Sequence, residues 1–365
     1  MKTRVLVAMS GGVDSSVAAL ILKNQGYEVI GITFQLYDYS RLNRREGKGG
    51  CCSIEDVDDA RLVADRLGIR HYLVDSQQNF KRKVIQYFAD AYRRGETPNP
   101  CVACNTFVKF DELLTQAKLL DADYFATGHY VRLDRDLGRV RLRKAKDLQK
   151  DQSYFLMGVS AEKLEKALFP CGDYSKEEIR ELAESAGLVT GSKKESMEIC
   201  FVADNNYRKF LKDEFQFTGK PGEIVDEAGH VLGRHDGIHH FTVGQRKGLG
   251  SFGLHAHFVV RVDAKLNQVI VGEAGQVFSE GMLVQVQEFQ GLEEKMGRTL
   301  QVKIRSRAVD CPVRLLKSEE GTLTLEFLEP QRAVTPGQFA VFYDGDEMLG
   351  GGPILKSIPL QKAVA

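Results

Sequence analysis

Two halves of the chain differ in how apolar and polar positions alternate. In the first, short unbroken apolar runs give way to stretches of helical spacing. Residues 5–9 form such a run, followed by Ser10-Gly-Gly-Val-Asp-Ser-Ser16 and an apolar helical stretch that stops near Gly26. The same pattern predicts strands over 29–34, 71–75 and 123–127, and helices over 55–67, 80–94 and 107–120. Ser53 with Asp56 resembles a capping box for the helix 55–67, which Gly68 ends. Residues 41–50, basic and glycine-rich, read as a mobile loop. Such βαβα alternation predicts an α/β fold, a mainly parallel sheet covered by helices, with ligands at the strands' carboxyl ends.

Further along, Arg139-Val-Arg-Leu-Arg143 alternates strictly, which sets three arginines on one face of a strand. Lys144, Lys146 and Lys150 extend that charge; a solvated edge strand and a polyanion-binding face both fit it. Residues 161–188 read as helical and 199–202 as a short strand. Beyond about Tyr207 glycine becomes frequent and strands are short, with expected strands at 259–262, 269–271, 283–286, 300–305, 313–316, 323–327 and 339–342. Lys303-Ile-Arg-Ser-Arg307 repeats the cationic alternation, and two such strands strengthen the case for a phosphate-backbone partner. Boundaries near 205 and 275 divide the chain into a catalytic domain (1–205), a small central β-rich domain (206–275) and a C-terminal β module (276–365).

Composition narrows the class. At 365 residues the chain exceeds what one core usually holds, so two or three domains are expected. Lysine and arginine (50) balance aspartate and glutamate (50), so any nucleic-acid partner must be met by local patches. Residues 1–4 leave no room for a targeting segment before the first strand, and no apolar run approaches the length of a membrane span. Seven unevenly spaced cysteines do not make a secreted disulfide framework. The expectation is a cytoplasmic protein with reduced thiols, some of them reactive.

Chemistry enters at two stretches. At Ser10–Ser16 the helix opens directly behind a glycine pair, so its free N–H groups and the positive end of its dipole face whatever sits at the turn. The turn lacks the Gly-Lys-Ser/Thr of a γ-phosphate-transferring loop and the G-x-G-x-x-G spacing of a dinucleotide fold. It resembles the S-G-G-x-D-S-S loop of enzymes that split ATP into AMP and pyrophosphate. The second stretch is Thr97-Pro-Asn-Pro-Cys101-Val-Ala-Cys104-Asn105, where two prolines predict an extended loop and C-x-x-C brings two sulfurs close. Structural zinc lacks its remaining ligands here. Cys200 follows Lys193 and Lys194, whose charge favours a thiolate. Cys51, Cys52, Cys171 and Cys311 read as structural or incidental.

These segments, with Ala126-Thr-Gly-His129, Lys150-Asp-Gln-Ser-Tyr-Phe155, Ile199-Cys-Phe201, Gly244-Gln-Arg-Lys-Gly-Leu-Gly250, Ala333-Val-Thr-Pro-Gly-Gln338 and Leu349-Gly-Gly-Gly352, resemble the tRNA-specific 2-thiouridylases (the MnmA/TrmU family) over nearly the whole chain. The resemblance implies a parallel-sheet ATP-pyrophosphatase domain, a small central β-rich domain and a C-terminal β-barrel. It also suggests that residues 161–190 form a helical insertion packed away from the catalytic sheet. ATP would be held by Ala8, Met9, Ser10, Gly11, Gly12, Val13, Asp14, Ser15, Phe34 and Gly128, with Mg²⁺ on its pyrophosphate. Cys200 would receive sulfur as a persulfide, and Cys104 would release it by pairing with Cys200 in a disulfide. Asn99, Pro100 and Cys101 would face the target uridine, while Lys150, Asp151, Gln152, Arg305 and Ser306 would contact tRNA.

Implied partners are the tRNAs for Glu, Gln and Lys and a sulfur donor, such as a cysteine desulfurase or relay protein, acting on a monomer. Two departures stand out: Cys101 occupies a position where some members carry Asp, and Ser306 one where Tyr is expected. With Cys101 present, the resemblance leaves a second route open, a [4Fe–4S] cluster on Cys101, Cys104 and Cys200. A small-molecule ATP-pyrophosphatase ligase would share the loop but needs neither the three cysteines nor the C-terminal barrel.

Overall fold

The computed structural model describes residues 2–360 apart from 39–53, 137–138, 192, 194–198, 203–204, 251, 253–254 and 290. The loop expected at 41–50, Cys51, Cys52, Ser53 and Lys194 therefore lie outside the described residues. The chain forms two compact units, one of residues 1–85, 101–205 and 346–348, the other of 86–100, 206–345 and 349–365.

The first unit is built on β1 (Arg4–Ala8), α1 (Val13–Asn24), β2 (Glu28–Gln35), α2 (Ile54–Leu67) and β3 (Arg70–Asp75). A helical run follows, α3 (Gln77–Phe80), a wider π turn over Lys81–Ile85, and α4 (Gln86–Arg93) in the other unit. The single helix expected over 80–94 is thus two helices joined through a π turn. Then come α5 (Pro100–Cys104), a second π turn (Asn105–Lys109), α6 (Phe110–Leu119) and β4 (Tyr124–Ala126). The C-x-x-C stretch is helical rather than extended. Pro100 explains this, because its fixed φ suits a first helical turn and its missing N–H is not needed there. The antiparallel hairpin β5 (Val131–Asp136) and β6 (Arg139–Lys144) precedes α7 (Ala161–Glu165), β7 (Ala167–Leu168) and α8 (Lys176–Ser185).

The sheet order is β3-β2-β1-β4-β7, parallel throughout. Val5, Leu6 and Val7 in the central strand are fully buried, which is why β1 reads as an unbroken apolar run. The segment 161–190 does not pack away from this sheet. Ala167 and Leu168 extend it beside Phe125 and Ala126. Ile179 and Ala183 of α8 are buried in the same core as Val17, Ala18 and Ile21 of α1. The correction has a simple cause: a two-residue strand carries no detectable alternation. Residues 199–202 form a turn rather than a strand, closed by the Val202 N–H on the Ile199 carbonyl at 3.0 Å. In the hairpin, Arg143 pairs with Asp134 and Asp346 at 2.6 and 3.0 Å, so part of the arginine stripe is neutralised internally.

The second unit holds α4, α9 (Tyr207–Phe215) and a four-stranded sheet of β8 (Gly222–Val225), β9 (Val231–His235), β10 (Phe258–Asp263) and β11 (Gln268–Gly272), in the order β10-β11-β8-β9. Ile224, Ile238, Phe241, Val259, Val269 and Val271 fill its core. A closed barrel follows, made of β12 (Phe278–Gln285), β14 (Thr299–Lys303), β15 (Cys311–Glu319), β16 (Thr322–Arg332), β17 (Phe339–Asp344) and β18 (Glu347–Pro359). The order is β12-β16-β15-β14-β17-β18, and pairing of β12 with β18 closes the ring and removes the sheet edges. The two-residue β13 (Glu288–Phe289) adds to β18, and α10 (Leu292–Lys295) lies in the following connection. The cationic alternation at 303–307 ends early: β14 stops at Lys303, and Arg305, Ser306 and Arg307 form a bend and turn.

Candidate active site

The glycine turn sits where β1 leaves the sheet. The Met9 N–H bonds the Ile32 carbonyl at 2.8 Å, continuing the β1–β2 ladder, and Thr33 Oγ1 donates to the Met9 carbonyl at 2.6 Å. Phe34, near the carboxyl end of β2, is buried. Ser15 Oγ accepts from the Ser10 N–H at 3.1 Å, and the Ser15 and Ser16 hydroxyls both reach the Gly12 carbonyl, at 3.1 and 2.9 Å. These bonds fold Ser10–Ser16 over the start of α1. Gly11 has φ +69° and lies so close to α2 that a Cβ would come 2.1 Å from the Asp56 carbonyl oxygen. Gly128, just after β4, lies against the same helix start, where a Cβ would meet Ser15 N at 2.7 Å. Ala8, Met9, Ser10, Gly11, Gly12, Val13, Asp14, Ser15 and Gly128 thus share one corner at the carboxyl edge of the sheet.

Two lysines that sequence reasoning did not assign to this corner flank it. Lys176, 6% exposed at the start of α8, sets its Nζ 2.6 Å from Asp14 Oδ1. The Tyr130 hydroxyl donates to the same oxygen at 2.6 Å, and the ammonium lies 5.7 Å from the Tyr130 ring centre. Lys193 Nζ bonds the Gly11 carbonyl at 3.2 Å and the carboxylates of Asp56 and Asp59 at 2.6 and 2.5 Å. Burial pulls its pKa down, but the hydrogen bonds it donates to the Asp56 and Asp59 carboxylates, with their charges, outweigh that and raise it. The Lys193 charge, expected beside Cys200, is committed instead to α2 and the glycine turn. Lys176 escaped notice because it follows Ser175, whose capping box with Glu178 makes the position read as an ordinary helix start. His129 donates to or accepts from Thr127 Oγ1 at 2.8 Å, and desolvation with the nearby Lys109 charge pushes its pKa down to about 3.

The cysteines divide by environment. On α5, Cys101 is exposed and Cys104 is buried, three residues apart on adjoining helix positions. Asn105 follows, its Nδ2 donating to the Phe155 carbonyl at 3.2 Å. Cys200 is half-buried in its turn, anchored by Phe201, which packs edge-on against Phe80 with centroids 5.7 Å apart. Burial pushes the Cys311 thiol up to about 12 and the Cys171 thiol higher still, the latter with its sulfur 3.3 Å from the Asp14 carbonyl oxygen. Both thiols are buried and held protonated. Among the described residues no three His, Cys, Asp or Glu side chains are gathered tightly enough to hold a metal ion.

The residues expected to meet tRNA belong to both units. Asp151 Oδ1 accepts from the Ala145 N–H at 3.1 Å and its Oδ2 from Ser153 Oγ at 2.8 Å, while Gln152 Oε1 accepts from the Tyr130 N–H at 2.9 Å. Their side chains therefore support the β6 exit and Tyr130, beside half-buried Lys150. In the second unit Asn99 is half-buried between buried Pro98 and Pro100. Arg305, exposed, bonds the Arg332 and Ala333 carbonyls at 2.9 and 3.1 Å, with half-buried Ser306 next to it.

A strand, a glycine turn that admits close backbone approach, and a helix start flanked by lysines, at the carboxyl edge of a parallel sheet, define a nucleotide site of the ATP-pyrophosphatase class. Family models match three stretches of the chain: a tRNA methyl transferase HUP domain over 3–204, a tRNA methyl transferase PRC-barrel domain over 208–273, and an aminomethyltransferase β-barrel domain over 279–354. The chain is 48% identical over 360 residues to the tRNA-specific 2-thiouridylase MnmA of Carboxydothermus hydrogenoformans, covering 98% of this chain and 99% of that protein. It is 46% identical to MnmA 1 of Thermoanaerobacter sp. (strain X514), covering 97% and 98%, and 46% identical to MnmA of Clostridium acetobutylicum, covering 97% and 100%. The chain belongs to the tRNA-specific 2-thiouridylase family. No described helix is long and apolar enough to cross a membrane.

Proposed function

We propose that the protein uses ATP to replace the C2 oxygen of the wobble uridine of tRNA with sulfur, releasing AMP and pyrophosphate. The observation that carries this reading is the Ser10–Ser15 turn with the ammonium groups of Lys176 and Lys193 at its two ends. A polyphosphate arriving at the start of α1 meets helix N–H groups and two ammonium groups, now paired with Asp14 and with Asp56 and Asp59, that can turn to the charge developing as pyrophosphate leaves. Mg²⁺ enters with ATP as its counter-ion, and Asp14 is the carboxylate of the turn.

The uridine oxygen is a poor leaving group. Attack of that oxygen on the α-phosphorus of ATP expels pyrophosphate and converts the oxygen into part of an AMP leaving group. Cys200, loaded as a persulfide by a cysteine desulfurase or relay protein, supplies the sulfur. The Cys104 thiolate attacks the inner sulfur of that persulfide, forming a Cys104–Cys200 disulfide and freeing hydrosulfide, which adds to C2 and expels AMP. A thiol reductant then restores both cysteines. Asn99, Pro100 and Cys101 face the base, which leaves its stack at a cost of a few kcal/mol repaid by contacts. Lys150, Asp151, Gln152, Arg305 and Ser306 lie along the tRNA path. The substrates are the tRNAs for Glu, Gln and Lys, met by a cytoplasmic monomer.

The test is anaerobic incubation with unmodified tRNA, ATP, Mg²⁺, a cysteine desulfurase and cysteine, with 2-thiouridine read by mass spectrometry and iron quantified in the same preparation. The persulfide route requires product without iron and at least a hundredfold loss in both Cys104→Ser and Cys200→Ser. Activity that tracks iron content and disappears in Cys101→Ser as well overturns that route in favour of a cluster.

A further inference from the structure

The stretch Ala333-Val-Thr-Pro-Gly-Gln338 at the entrance to β17 has no part in the chemistry described above, yet it converges on the loop that leads into Cys101. Thr97-Pro98-Asn99-Pro100 has only two backbone N–H groups, those of Thr97 and Asn99, because proline has none. The loop's carbonyls therefore need donors from elsewhere in the chain.

Gln338 is such a donor. Its Nε2 reaches the Thr97 carbonyl at 2.9 Å and the Pro98 carbonyl at 3.4 Å. The Thr97 N–H in turn donates to the Pro336 carbonyl at 2.9 Å. Between them Gly337, φ +87°, lies so close that a Cβ would come 2.8 Å from Glu96 Cβ and 2.9 Å from Thr97 N. The Ile354 N–H bonds the Gln338 carbonyl at 2.7 Å, and the Gly337 N–H bonds the Ile354 carbonyl at 3.0 Å, so the donor stands on the barrel wall rather than on a tail.

A second distant segment meets the same residue. Thr97 Oγ1 donates to Thr242 Oγ1 at 3.2 Å, and the Thr242 N–H is held by Gln245 Oε1 at 3.0 Å. Gly244, φ +85°, packs onto Ala333, where a Cβ would come within 2.6 Å of the Ala333 Cβ. Three sequence motifs more than ninety positions apart, around 97, 244 and 337, thus meet at Thr97.

We propose that Gln338 is a positioning residue for the thiolation reaction: by holding the Thr97 and Pro98 carbonyls it presents Asn99 to the target base in one geometry. This rests on the tRNA-thiolation reading for its catalytic consequence, though not for the clamp itself. A misplacement of about 1 Å at a substrate-facing group is enough to slow a reaction a hundredfold. The clamp is independent of the ATP turn, so its loss acts on turnover and not on nucleotide affinity.

The test compares wild type with Gln338→Glu and Gln338→Met, both close to glutamine in length and neither able to donate to a carbonyl. Three readouts are taken on the full chain: hydrogen exchange of the Thr97 amide, the KM for ATP and the kcat of tRNA thiolation. The expected result is at least tenfold faster exchange at Thr97 and at least a tenfold fall in kcat, with the KM for ATP within twofold of wild type. Unchanged exchange at Thr97, or unchanged kcat in both variants, overturns the proposal. So does a fall in kcat that tracks a general loss of folded protein in thermal melts. If wild type itself makes no 2-thiouridine, the thiolation reading fails, and the exchange rate alone decides whether the clamp exists.

Discussion

The ammonium of Lys176 lies 2.6 Å from Asp14 Oδ1, with the Tyr130 hydroxyl on the same oxygen. A 6%-exposed cation next to the positive end of α1 is unfavourable unless an anion faces it, and in this structure Asp14 supplies the anion. A nucleotide's phosphates bring further negative charge to that corner. Lys176→Met keeps the length of the side chain and removes the charge. The expected effect is a fall of about 10² in the rate of tRNA-dependent pyrophosphate release, in the range seen when one electrostatic contact to a developing charge is removed. Thermal stability should fall as well, because removing one partner of this pair leaves the Asp14 carboxylate without its counter-charge, so the rate is compared per folded protein. A pyrophosphate rate equal to wild type rules out a role for Lys176 at the phosphates.

Gly11 and Gly128 fail differently when a methyl group is added. Gly11→Ala meets both a left-handed backbone and the Asp56 carbonyl, so the cost falls on folding, about 2–4 kcal/mol in a denaturant titration. Gly128→Ala presses on the backbone of Asp14 and Ser15, which displaces the start of α1. At that position the KM for ATP should rise at least tenfold, while the folded state loses about 1–3 kcal/mol. Equal ATP affinity in Gly128→Ala and wild type would separate Gly128 from the nucleotide site.

His129 gives the site a pH signature. Its pKa is pushed down to about 3, below the ordinary value of 6.5, so the unfolded chain binds a proton that the folded chain refuses. Its contribution to stability is intact above about pH 6.5 and is lost progressively as pH falls toward 3. In His129→Gln the melting temperature should therefore drop less steeply than in wild type between pH 6.5 and pH 5. Parallel melting curves in the two proteins would contradict the neutral, desolvated imidazole.

How much of this was visible beforehand depends on the range of the forces involved. The strand–glycine turn–helix corner was legible because it is local: the unbroken run ending at Met9, the glycine pair and the α1 periodicity lie within some twenty residues. The parallel sheet followed from the same alternation, and the late β modules from their short strands and turns. Cys101 and Cys104 were recognised as a pair, but their helix was not, since two prolines suggest an extended chain unless the second one opens a helix. β7 is too short to show a period, so the link of 161–190 to the sheet stayed hidden. Lys176 and Lys193 reach the glycine turn across more than 160 positions, and nothing in their immediate neighbours marks them. Arg305 illustrates the opposite error, where an alternating cationic pattern continues past the end of its strand into a turn.

The most direct measurement is the yield of pyrophosphate per 2-thiouridine, made with γ-labelled ATP, the full-length protein and a sulfur source. Unmodified tRNA is compared with the same tRNA already thiolated at the wobble position. Close to one pyrophosphate per thiouridine is expected with unmodified tRNA, with AMP as the other product, and almost none with the thiolated tRNA. Pyrophosphate released equally without tRNA, or ADP and inorganic phosphate as the products, would contradict the proposed reaction.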